Sequence, residues 1–350
     1  MLSIVTIGLI PILRGDIGTD TPMYQSFASD IISYGDITTS IEPGLIYLFK
    51  FLATFLNNEI LIVRSVSVLF VLFLVLYVLR SGKDELFFLL AAFIPCLFYI
   101  DTMNTIRYGL ASSLFLLAVQ KPLKANAIDI QSIIFLALAC IVHYSTVIAF
   151  SFVFLCFHKQ SKIWPFVLIF SVSLLLSFIV YLEPEYLEAK ASLYSGYESP
   201  DWYSGLSSLI TILIFLGGIR TEKNILRQIS RKIRQGMAEN SKCISDLRTS
   251  IPTLKRIRWS SLLAGGGAMI IAQYSYAGLR ILNILLLCVP VSILYASRVD
   301  GQKISNQTKL FLLLGGLAGF TFMYRNFVQS MDNSITPFLP YVFLWDSYNL

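Results

Sequence analysis

Of 350 residues, 56% are hydrophobic and 14% charged, the mean hydropathy is +0.70 and the formal net charge is +6. That balance leaves no separate soluble domain, and it reads as an all-α, polytopic integral membrane protein. At roughly 20 apolar residues per pass of a ~30 Å hydrocarbon core, residues 1–350 form a single transmembrane domain with room for about ten to eleven helices.

The opening run MLSIVTIGLIPIL lacks a basic n-region and a small-residue cleavage site, so it reads as a short, retained first helix. It ends at RGDIGTD, which begins an outer loop over 14–43. Residues 59–79 then run inward to the basic connection RSGKDE (80–85), 86–100 run outward, and 104–119 return to the basic QKPLK (120–124). An acidic outer loop spans 184–204, and a basic cytoplasmic loop spans 221–258. Within the latter, Ile225, Ile229, Ile233 and Met237 recur every four residues, the pattern of an amphipathic helix on anionic lipid; a solvated topology determinant fits equally. Residues 258–278 rise, 279–298 descend, and 310–324 climb back to Arg325.

The apolar runs between 124 and 220 number three, where the loop charges require an even number of crossings. Either the long run 128–157 breaks near His143 into two short arms, or Lys121 and Lys124 lie outside. Under the broken-helix reading, Arg14, Arg64, Arg107, His143, Arg280 and Arg325 all fall toward the outer face. Intramembrane cations cost several kcal/mol each and persist where they line a polar cavity or meet an anion. Arginine suits phosphate because its planar fork donates paired hydrogen bonds and keeps its charge.

Arg64 and Arg325 also fit simple snorkelling to headgroups. Arg107 and Arg280 each precede a long apolar helix, where the helix dipole disfavours a cation and something must compensate. Asp20 is either a proton acceptor or part of a DIGTDT turn, and Glu42 either binds sugar hydroxyls or caps the helix after Pro43. The five cysteines are scattered without ligand spacing, so neither a disulfide framework nor a metal site follows. There is no DxD triplet, and the AGGGA at 264–268 lacks the Lys and Ser/Thr of a phosphate loop and reads as close helix packing.

The ordered set RGDIGTDTPMY (14–24), IEPGLIYLF (41–49), IRYGLASSLFLLA (106–118), IVHYSTVIAF (141–150), GLRILNILLLCVP (278–290) and PY (340–341) resembles the EpsG-like branch of Wzy-type bacterial polysaccharide polymerases. The family commonly has Gln after the middle arginine, where this chain has Tyr108. The resemblance implies a GT-C-like helical fold and a metal-independent glycosyltransferase of the bacterial inner membrane, acting at its periplasmic or outer face without a cofactor. Its substrates would be undecaprenyl-pyrophosphate-linked oligosaccharide repeat units, and its partners would include membrane lipids and a Wzz-like chain-length regulator, with no nucleic acid.

Within that resemblance His143 or Asp20 takes the acceptor proton, Arg14, Arg107 and Arg280 bind pyrophosphate, and Glu42, Tyr108 and Arg325 face the glycan. Two rivals use similar residues. A lipid-linked oligosaccharide flippase wants arginines along a cavity but commonly shows internal repeats, which are not evident here; a membrane O-acyltransferase wants a histidine paired with another polar catalytic group.

Overall fold

The computed structural model describes residues 2–15, 17–18, 20–36, 41–125, 129–157, 200, 203–234, 241–297, 304–328, 341 and 343. Among these there is no strand, only one isolated antiparallel bridge between Arg14 and Phe343, so the chain is all-helical as its composition requires. The acidic stretch 184–204 falls largely outside the described residues, as do Asp16 and Met237 and the side chains of Ile229 and Ile233. Among the described residues three helices are long and apolar enough to cross a membrane, Glu59–Leu79, Lys83–Met103 and Tyr276–Ala296.

The helices, in chain order, are α1 (Leu2–Ile12), α2 (Thr21–Tyr34), α3 (Pro43–Ala53), α4 (Glu59–Leu79), α5 (Lys83–Met103), α6 (Ile106–Ala125), α7 (Ile130–Val142), α8 (Thr146–Phe157), α9 (Leu206–Arg234), α10 (Ser241–Ala272), α11 (Tyr276–Ala296) and α12 (Asn306–Val328). They group into two compact units. The first comprises residues 1–82, 97–146 and 320–350, the second 83–96 and 147–319. The chain passes between units within α5, inside a π-helical stretch, Leu89–Phe98, that contains Pro95. A proline removes a helical donor and clashes with the preceding turn, and a widened turn absorbs both effects.

In the first unit α4 and α6 pack together, α7 lies on α6, and α2 and α3 close over the same end. The run 128–157 does break, as one of the two sequence readings required. His143 takes an extended conformation (φ −153°, ψ 109°) between α7 and α8, so its ring projects from a helix end. The stretch 14–43 is not simply a loop, because α2 occupies 14 residues of it, with a proline in its first turn and left-handed Gly35 (φ 76°) closing it. Glycines set the close crossings near the site. A Cβ on Gly44 would stand 2.6 Å from the backbone of Ile141, and one on Gly109 would stand 2.5 Å from the Asp101 carbonyl. Only glycine lets α3 reach α7 and the start of α6 reach the end of α5.

The second unit packs α10 against α11 and α9 against both. Gly278 lies against the backbone at Ala268 and Ala272, while Gly217 and Gly315 receive the rings of Phe311 and Phe215 respectively. AGGGA behaves otherwise than its composition suggests. Gly265 meets only the Leu209 side chain, and Gly266 and Gly267 face open space. The basic 221–258 stretch is largely helical, since α9 runs through to Arg234 and α10 begins at Ser241. Among the described residues the buried acids here each have a partner. Glu85 accepts from the Tyr295 hydroxyl (2.7 Å), Asp84 accepts from the Ile304 amide (3.2 Å) and forms an ion pair with Lys309 (2.8 Å), and Glu222 accepts from Ser305 and Thr308 (2.6 Å each). Cys96, Cys140, Cys156 and Cys288 are buried free thiols.

Candidate functional site

One group of charged residues of the first unit gathers at the end where α7 stops and α6 starts. Arg107 stands one residue inside α6, where four backbone amides lack helical partners and the dipole repels a cation. Its compensation is Glu42. The Glu42 Oε2 atom accepts from Arg107 Nη1, the two side chains being 5% and 14% exposed. Arg107 Nε also donates to the Tyr24 hydroxyl at 3.0 Å, and its guanidinium lies over the Tyr24 ring, 5.6 Å from the centroid. Charge-assisted and cation–π contacts to one guanidinium fix its plane.

Glu42 does a second thing. Its Oε1 lies 3.2 Å from His143 Nδ1. An ionised carboxylate only accepts, so this bond requires the proton on Nδ1 and puts the lone pair of the neutral ring on Nε2. The Tyr108 ring meets the imidazole edge-on, centroids 5.7 Å apart at 75°, and restrains its tilt. Glu42 holds the N-cap position of α3 in an extended conformation (ψ 132°), yet its side chain makes no capping bond, and Pro43 follows it at the first helical position. A proline there has no N–H to cap. The carboxylate is therefore directed across to two other helices rather than down its own. Of the two sequence readings of Glu42, the cap is not realised.

Other candidates lie elsewhere. Arg14 is fully buried, and its Nη1 donates to the Thr102 carbonyl at 2.7 Å. Arg64, also buried, donates through Nη2 to the Gly15 carbonyl, so Arg14 ties the RGDIGTD segment to the end of α5 and Arg64 ties it to α4. The segment turns sharply. Gly18 has φ 102° and lies against the Met103 carbonyl, Thr21 Oγ1 donates to Ile17 O (2.7 Å), and the Asp20 amide donates to Asn104 Oδ1 (3.0 Å). Asp20 precedes α2 without a side-chain cap bond. Arg325 is exposed near the end of α12, and Arg280 is exposed in the first turns of α11, in the second unit. Of the six cations expected at one face, the structure joins Arg107 to His143, and Arg14 to Arg64.

Tyr24, the last residue of the RGDIGTDTPMY segment, was not singled out by sequence reasoning, nor was the bridging role of Glu42. The signal for both was their place at the ends of motifs whose middles drew attention. A family model described as the EpsG family matches residues 1–343. The chain belongs to the EpsG family. This is the family of Wzy-like polysaccharide polymerases. No curated protein and no solved structure matches it. Four of the six segments that carry the resemblance, those holding Tyr24, Glu42, Arg107 with Tyr108, and His143, converge in this EpsG-family chain on one buried cluster. Among the described residues no group of His, Cys, Asp and Glu has a metal-binding arrangement.

Proposed function

We propose that the chain polymerises a lipid-linked glycan, moving the growing chain from undecaprenyl pyrophosphate to the non-reducing end of a second lipid-linked repeat unit, at the outer face of the bacterial inner membrane. The observation that carries this reading is Glu42 bridging His143 and Arg107 in a chain of a polysaccharide polymerase family.

In the transfer, an acceptor hydroxyl oxygen attacks the anomeric carbon of the donor sugar. The bond from that carbon to the phosphate oxygen breaks, and its electron pair leaves with the pyrophosphate. His143 Nε2 receives the hydroxyl proton, and Glu42 on the opposite ring nitrogen stabilises the imidazolium that forms, the division of labour of a carboxylate–histidine pair. Arg107 has two hydrogen bonds fixed, through Nε and Nη1, and its Nη2 makes none, so one face of the fork is preset and the other is offered to a phosphate oxygen on the leaving group. The energy resides in the substrate, since a sugar pyrophosphate-lipid is already activated. Arg280 and Arg14 are further pyrophosphate candidates to be tested one at a time, and a Wzz-like regulator would set product length.

The test is reconstitution of the purified protein with synthetic undecaprenyl-pyrophosphate repeat units and no nucleotide sugar, reading product length on a gel. A ladder from the wild type that is lost in Glu42→Gln and His143→Asn supports the reading. Folded wild type that makes no ladder, but moves labelled repeat units across the vesicle bilayer, overturns it in favour of transport.

A further inference from the structure

Asn104 occupies the corner between the end of α5 and the start of α6, three positions before Arg107. Its side-chain oxygen Oδ1 accepts from the Asp20 amide at 3.0 Å, joining residues 84 apart in sequence. The Asp20 carbonyl accepts from the Tyr24 amide at 3.1 Å. The Tyr24 hydroxyl in turn accepts from Arg107 Nε at 3.0 Å. These three hydrogen bonds, with the short backbone step from Arg107 back to Asn104, close a ring.

A closed ring has less slack than any of its bonds alone. Only the first turn of α2 separates Asp20 from Tyr24, so where Asn104 holds Asp20 decides where the phenol stands against α6. The other ties on this segment act earlier in it. Arg14 donates to the Thr102 carbonyl and Gly18 lies against that of Met103, both before the turn, whereas the Asn104 bond reaches past the turn to the residue from which α2 starts. At the far side of the ring, Glu42 on Nη1 and Tyr24 on Nε fix the plane of the Arg107 guanidinium, since two bonds to a planar group define its orientation.

We propose that Asn104 is a positioning residue for glycan transfer: by holding the start of α2 against the α5–α6 corner it places the Tyr24 hydroxyl, and through it sets the plane in which Arg107 offers Nη2 to the leaving phosphate. Asn104 acts through Tyr24 and Arg107 and touches no reacting atom. The functional half of this inference rests on the polymerase reading. The structural half, that Asn104 sets the Tyr24–Arg107 bond, does not.

The structural half is read by fluorine NMR of the full chain in nanodiscs, with 3-fluorotyrosine replacing Tyr24 or, as a reference, Tyr295, whose hydroxyl donates to Glu85 in the second unit. Asn104→Ala should shift or split the Tyr24 resonance and leave that of Tyr295 in place. An unmoved Tyr24 resonance, or equal movement at both positions, overturns the proposal whatever the protein catalyses. Asn104→Ser, whose hydroxyl is too short to reach the Asp20 amide, takes the place of the alanine variant if that fails to fold. The functional half is read by transfer kinetics on synthetic lipid-linked repeat units. Asn104→Ala should lower kcat by about fivefold to tenfold and leave KM within about twofold, because the lost bond acts on the leaving group in the transition state. In a Tyr24→Phe/Asn104→Ala double variant both changes break the same ring, so the loss should equal that of Tyr24→Phe alone. Losses that multiply give Asn104 a separate structural duty and overturn the proposal. A folded wild type that makes no product overturns the polymerase reading and the functional half with it, and the fluorine result then decides the structural half by itself.

Discussion

The two ends of α6 each carry a cation–carboxylate pair, and the pairs do opposite things. Arg107 and Glu42 have side chains 14% and 5% exposed, whereas Lys121 and Asp129 are 61% and 21% exposed. Breaking a buried pair strands a charge where water cannot reach it, while an exposed pair exchanges its partner for water at little net cost. Burial turns the same ionic chemistry from an adjustable contact into a fixed constraint. The first end has geometry suited to holding a histidine in one tautomer; the second anchors the exposed start of α7.

Removing the constraint should have the largest effect. Glu42→Ala leaves Arg107 and the Nδ1 proton of His143 buried without their acceptor, and the cost expected is about 3–5 kcal/mol of stability. Glu42→Gln keeps the shape and one acceptor oxygen. It should fold with a smaller loss in thermal midpoint, while glycan transfer falls on the order of 10²-fold or more through loss of the charge that stabilises the imidazolium. A transfer rate unchanged in Glu42→Gln would reduce the cluster to a structural brace.

The next test moves the carboxylate without changing it. In Gly44→Ala the new methyl meets the Ile141 backbone at 2.6 Å, and backbone cannot rotate aside as a side chain can, so α3 must shift away from α7 and carry Glu42 from His143. A cost of about 1–3 kcal/mol is expected from overpacking. Transfer should drop by more than that loss of stability explains, read as activity of folded protein at a temperature well below its midpoint.

These dependencies show which parts of the arrangement were legible in the sequence. Hydropathy was enough for helices, and the mismatch between loop charges and crossings left two readings, a break near His143 or Lys121 and Lys124 outside, of which the structure shows the break. The unfavourable position of Arg107 at a helix start demanded some compensation, and the structure supplies it as a carboxylate from 65 residues away. That the anion is Glu42 was hidden, because Pro43 after an acidic residue reads as a capped helix start, and only the crossing of α3 and α7 at Gly44 shows the carboxylate directed elsewhere. The gathering of Arg14 with Arg64 rather than with Arg107 depends on how the RGDIGTD turn folds against Thr102 and Met103, contacts made 88 and 85 residues along the chain. No local pattern encodes such a pairing.

Tyr24→Phe is a subtler probe of the same end. It keeps the ring under the guanidinium and removes one hydrogen bond to Arg107 Nε, about 1 kcal/mol, so stability should fall slightly and transfer by up to about tenfold. If Arg107 needs only charge and not a fixed plane, transfer will be untouched.

The smallest effect belongs to the exposed pair, and pH is the way to measure it. Hydrogen bonds from Lys121, then from the Ser132 hydroxyl and amide, hold the Asp129 carboxyl well below the usual carboxylate range. A depressed native value means that whatever Asp129 contributes is present above its unfolded value, about 3.9, and is lost only as pH falls through the lower native one. Between pH 8 and 5 the cap on α7 should therefore stay intact, with constant hydrogen-exchange protection of the Ser132 amide. Lys121→Gln should leave that protection and the thermal midpoint nearly unchanged, because Ser132 still supplies two of the three bonds. Asp129→Ala should expose the Ser132 amide to exchange and fray the first turn of α7 without disturbing His143 at its other end. Should His143 lose its contact with Glu42 in that variant, the two ends are mechanically coupled through α7, and a change at the exposed pair would then reach the buried one.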